Sequence, residues 1–180
     1  MDNINTKCEI VSFILDLLRK RLNDEMYTSI ACKSRMILDD ELPIFIRVKR
    51  KTHPGTTRLA EVIGIEKRSL VITYCDTGTR SKVTLTSCGE LFMWNFTTAE
   101  AIDLAKKGYI VHHQRRRIFL LSKTPPHIII VYNESLSRTR MPRDICKEFG
   151  TFTDGWTIRT PIGKDKSYDL FLGRRRKVGY

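Results

Sequence analysis

The chain has 180 residues, 41% of them hydrophobic and 29% charged, with a formal net charge of +12 and a pI near 9.7. This length and composition support a folded core without metals or disulfides, which excludes a disordered tail. The longest apolar runs are four or five residues, far short of a membrane span.

Residues 6–22 have the spacing of an amphipathic helix, with Cys8, Val11, Ile14, Leu15, Leu18 and Leu22 on one face. Thr6 and Glu9 stand at capping-box separation, where each satisfies a free donor of the other. Such a helix packs on a sheet or pairs two protomers into a homodimer. Residues 25–41 fit a short helix or a strand equally. From 44 onward the period falls to two: Ile44, Ile46 and Val48 alternate with Phe45, Arg47 and Lys49. Further strands are predicted at 59–65, 70–75, 83–86 and 91–96, divided by turns at His53-Pro54-Gly55, Asp76-Thr77-Gly78 and Cys88-Gly89.

A second helix is predicted over 98–107, capped by Thr97 with Glu100 and stopped by Gly108. Residues 109–113 and 117–122 read as a hairpin, and 128–132 as a buried strand. Residues 133–141 read as a polar loop, and 142–149 as a third helix closed by Gly150. Strands at 156–160 and 168–172 complete the pattern. The whole is an α+β fold, mainly antiparallel sheet, forming a small barrel or two packed sheets. It is read as one domain over 1–173: a helical packing segment to 41, a meander over 42–96, and a helix with a second sheet over 97–173. A basic tail follows at 174–180. The predicted core includes Val11, Leu15, Leu18, Ile44, Ile46, Val48, Val83, Leu104, Ile118, Leu120, Ile129 and Val131.

The charge is unevenly placed. Residues 1–40 carry 6 basic and 7 acidic side chains, residues 41–100 carry 9 and 6, and residues 101–180 carry 17 and 7. A surplus of this kind favours a polyanion. Four basic surfaces follow. On the strand at 44–51, core-facing Ile44, Ile46 and Val48 would leave Phe45, Arg47, Lys49 and Lys51 on an outer face, an aromatic ring for stacking in line with cations at phosphate-like spacing. The same pattern fits an edge strand guarded against aggregation. Arg115, Arg116 and Arg117 would splay from a hairpin tip. Arg138, Arg140 and Arg143, among Ser135, Ser137 and Thr139, would form an anion clamp at the start of the third helix. Arg174, Arg175, Arg176 and Lys177 would add nonspecific affinity.

Signals for chemistry are sparse. Cys8, Cys32, Cys75, Cys88 and Cys146 contain no Cys-x-x-Cys, so free thiols are expected rather than zinc or disulfides. His112 and His113 point to opposite strand faces. Asp39, Asp40 and Glu41 are the best cation candidate, but no phosphate-binding glycine loop or nucleophile elbow accompanies them. The expected function is non-catalytic binding of nucleic acid, single-stranded or RNA, with low sequence specificity, no cofactor and no membrane. The alternatives are a viral or regulatory factor that docks an acidic protein, and a small metal-dependent nuclease. With no basic-then-apolar leader, a cytoplasmic location is expected, or nuclear in a eukaryotic host.

Overall fold

The computed structural model describes residues 6–39, 42–93, 95–116, 118–123, 128–132 and 137–158. They form four α-helices and two antiparallel five-stranded sheets, the α+β class predicted from the sequence. Each sheet is open, so neither closes into a barrel. The chain divides into two compact units, Met1–Trp94 and Asn95–Tyr180.

In the first unit, α1 (Lys7–Arg19) starts at the expected capping box. Thr6 Oγ1 accepts the Glu9 N–H at 3.2 Å, and the Glu9 carboxylate accepts the Thr6 N–H at 2.8 Å. Ile10, Val11, Ile14 and Leu18 are buried, while Cys8 is exposed. The undecided segment is a helix, α2 (Asp24–Asp39), whose Asn23 Oδ1 accepts the Met26 N–H at 2.9 Å. Only Ser34 and Ile37 of α2 are buried, and Met26 and Met36 are about half exposed. Apolar residues on the wet face blur the helical period, which is why the segment resists assignment from sequence.

Five strands follow: β1 (Phe45–Lys49), β2 (Thr57–Glu66), β3 (Ser69–Tyr74), β4 (Arg80–Val83) and β5 (Cys88–Leu91). Their order is β4-β3-β2-β1-β5. The last two lie earlier than predicted. A 3-10 turn at Leu85–Ser87 separates them, and Phe92, at φ 56°, leaves extended geometry just after β5. One sheet face carries Ile46, Val48, Ala60, Val62, Leu70 and Ile72, which form one buried cluster with Ile10, Val11, Ile14, Leu18 and Ile37 of the helices. Full burial of each larger aliphatic contributes about 1.5–3 kcal/mol. The stripe of α1 is therefore used within its own unit. Leu15 and Val83, expected in the core, lie partly buried at its margin.

The second unit opens with α3 (Thr98–Lys106), whose Thr97–Glu100 capping box forms as expected. It continues through β6 (Val111–His113), β7 (Phe119–Lys123), β8 (Ile128–Tyr132), β9 (Ser137–Arg140), α4 (Pro142–Phe149) and β10 (Trp156–Ile158). The sheet order is β10-β6-β7-β8-β9. The polar loop expected over 133–141 is in part the edge strand β9, with Arg140 opposite Ile129 and Thr139 opposite Ile130. Its Ser-Arg-Thr-Arg sequence has no apolar alternation, so nothing in the periodicity marks it as strand. The predicted strand at 168–172 lies outside the described residues.

Trp156 is fully buried and organises this unit. Its Nε1–H donates to Thr98 Oγ1 at 3.0 Å, and its ring meets His113 and Phe149 edge-on at centroid distances of 5.0 and 5.2 Å. His113 Nδ1 accepts the Arg115 N–H at 3.2 Å. Gly155, at φ +122°, lets the chain pass this ring, since a Cβ there would lie 2.8 Å from His113 Nε2. Ile118, expected in the core, is only partly buried.

Candidate nucleic-acid interface

The basic surfaces expected from the sequence are redistributed by the fold. Phe45 is 2% exposed, so its ring cannot stack a base from solvent. The physical reason is the place of β1, which lies between β2 and β5 rather than at an edge. Both of its faces are covered at this point: Ile44 and Ile46 are buried on one side, Phe45 on the other. The guarded-edge reading of this strand fails for the same reason. Arg47 retains 21% of its side-chain exposure and stands 3.7 Å from Glu90 of β5. Lys49 and Lys51 remain exposed.

At the hairpin tip Arg115 and Arg116 are both exposed, and the Arg116 guanidinium lies 4.9 Å from the Phe149 ring centroid. Arg117 lies outside the described residues. The three arginines expected in one loop are divided between two elements. Arg138 and Arg140 belong to β9, and Arg140 is bonded to Glu148 of α4. Arg143 is exposed on the first turn of α4. Arg174, Arg175, Arg176 and Lys177 lie outside the described residues.

What the fold assembles is a pocket of about 560 Å³ at one end of the first sheet. One wall is the segment Lys49-Arg50-Lys51-Thr52-His53, which leaves β1 and turns back. Arg50 N–H donates to the Thr56 carbonyl at 3.1 Å, Thr56 N–H donates to the His53 carbonyl at 3.1 Å, and Gly55 supplies φ +84°. Ser81, Thr84 and Ser87 also line the pocket, with the Thr84 and Ser87 hydroxyls 3.2 Å apart.

Arg58 and Tyr74 complete the lining. Pairing of β2 with β3 sets Ala60 opposite Tyr74, so Arg58, two residues along, shares the face of Tyr74. The guanidinium carbon sits 3.7 Å from the Tyr74 ring centroid. Arg58 Nε donates to Asp76 Oδ2 at 3.1 Å, and Nη2 donates to Oδ1 at 2.7 Å, a bidentate pair. The Thr77 N–H adds a bond to Asp76 Oδ1 at 2.9 Å. Burial pulls the Asp76 carboxyl up, but the Arg58 hydrogen bond and charge and the Thr77 N–H outweigh it, and the group stays below its ordinary value. The bond to Asp76 likewise raises Arg58.

Five Lys and Arg residues line the pocket against a single carboxylate. That carboxylate is committed to Arg58, and Lys82 is held 2.7 Å from Glu66. Lys49, Arg50 and Lys51 form no ion pair among the described residues. Their charge is left to attract an anion.

Sequence reasoning reached Lys49 and Lys51 and missed Arg58, Tyr74 and Asp76, which meet only through strand pairing. One signal was present: Arg58 falls in the period-two register of Ala60 and Val62, where an apolar residue belongs. Among the described residues no cluster of three or more His, Cys, Asp or Glu is placed to hold a metal, and Asp40 and Glu41 lie outside them. Nor is any described helix long and apolar enough to cross a membrane. Comparison with family models, curated proteins and solved structures gave no match. Fold and site together define an α+β chain with a basic pocket built on an antiparallel sheet.

Proposed function

We propose that this chain is a nucleic-acid-binding protein that takes single-stranded nucleic acid or RNA with low sequence specificity and without catalysis. The observation that carries this reading is the wall Lys49-Arg50-Lys51, three cations without ion pairs among the described residues, lining one pocket of a chain with net charge +12. Cations so placed release counterions from a phosphate backbone, the main source of sequence-independent affinity. The preference for single strands follows from architecture. The site is carried by a sheet, the kind of platform on which single strands are read, rather than by a helix that would enter a major groove.

Anisotropy titrations with labelled 12-mers of single-stranded RNA, single-stranded DNA and duplex, at 50 and 200 mM salt, test it. Single strands are expected to bind more tightly than duplex, and all to weaken as salt rises. Absence of binding to every probe at the lower salt would overturn the proposal.

A further inference from the structure

Asp76 occupies the Nε–Nη2 edge of Arg58, and Tyr74 covers one face of its guanidinium. Tyr74 itself packs against the unit's buried cluster. The stack therefore runs from core to Tyr74 to Arg58 to pocket. Arg58 keeps 26% of its side-chain exposure and lines the pocket, and its bonds to Asp76 and Thr77 engage Nε and Nη2. An arginine held flat in this way is a planar cationic surface, the geometry on which bases stack.

We propose that Arg58 is a stacking platform for one nucleobase of the bound strand, with the adjoining phosphate held at Lys49-Arg50-Lys51. This rests on the nucleic-acid reading above and names what the pocket recognises within it. The carboxylate beside Arg58 argues against a second role for it as a phosphate grip. Its fork already bonds an anion, and a phosphate drawn to the same edge would meet the Asp76 charge.

The test compares two single-stranded 12-mers of equal charge, oligothymidine and a chain with the same backbone and no bases. The unaltered protein is expected to favour the base-bearing strand by roughly 5- to 140-fold, the worth of one stacked base. Arg58→Lys keeps the charge and removes the plane, and is expected to erase most of that gap. Equal affinity of the unaltered protein for both strands would overturn the inference and leave the proposed function standing. A gap that survives Arg58→Lys would overturn it too, whereas failure of both strands to bind would remove the proposed function itself. If Arg58→Lys does not fold, nuclear magnetic resonance of the unaltered chain decides. Uridine 5′-monophosphate is expected to move the Arg58 Nε–H resonance by ring current, and ribose 5-phosphate to leave it nearly unmoved. Equal shifts from the two would refute stacking.

Discussion

Replacing Lys49, Arg50 and Lys51 together by Gln separates charge from shape at the proposed interface. All three side chains are exposed, and none is ion-paired among the described residues, so the fold is expected to stay within about 0.5 kcal/mol per site of its original stability. Each phosphate contact on a single strand contributes about 0.7 to the slope of log affinity against log salt, so three contacts contribute about 2. Between 50 and 200 mM salt, a fourfold change, that slope corresponds to about 18-fold in affinity. The unaltered chain is thus expected to lose about 18-fold more affinity across this interval than the triple variant. Anisotropy at four salt concentrations in that range gives both slopes directly. A circular dichroism melt of the variant confirms that charge alone has changed. An unchanged slope in a folded variant would refute the reasoning and move the electrostatic footprint elsewhere on the chain.

Three further outcomes follow from the packing. Thr98→Val removes the acceptor of the buried Trp156 Nε1–H and is expected to destabilise the second unit by about 1–3 kcal/mol in urea titrations followed by tryptophan fluorescence; an unchanged midpoint would count against the bond. Lys67 and Arg68 form the β2–β3 turn at φ 47° and 66°, so Lys67→Asn with Arg68→Gly is expected to raise stability by about 1 kcal/mol; a loss would show that the turn is held for another reason. Burial, then the Arg116 and Arg115 charges, hold the His113 imidazole below its ordinary value, against the opposing hydrogen bond to the Asp154 backbone. The unfolded chain then takes up its proton at higher pH than the folded one, so this contribution is complete above about pH 6.5 and is lost as pH falls through the unfolded value toward the folded one. Urea midpoints at pH 7.5 and 5.5, with the His113 Cε1–H resonance followed across the range, check it; titration at or above the ordinary value would refute the assignment.

Helix ends were the most legible part of the fold. Thr6 with Glu9 and Thr97 with Glu100 put the starts of α1 and α3 close to their observed limits, because capping is a local bond between residues three apart, and Pro142 and Gly150 bracket α4. Burial was harder to read. Alternation at Phe45 indicates a strand but not how many of its faces are dry, which depends on neighbours distant in sequence. The same limit hid the pocket. Arg58 and Asp76 are 18 residues apart, and nothing short of the β2–β3 register puts one beside the other.

The arrangement of Arg58 between an aromatic ring and its own carboxylate has a consequence for discrimination among polyanions. A free arginine greets any phosphate or sulfate alike, and gives up rotamer freedom to do so. This one is already held between the Tyr74 ring and the Asp76 carboxylate, which takes up its Nε and Nη2 donors. Toward solvent it presents a flat surface with little appetite for a bare anion. Polyphosphate or a sulfated polysaccharide would then collect only the attraction of the lysine-rich wall, which salt screens away. On the proposed stacking at Arg58, a polymer that carries rings along its backbone would gain a second attraction that ionic strength barely touches. A uniformly basic surface makes no such distinction.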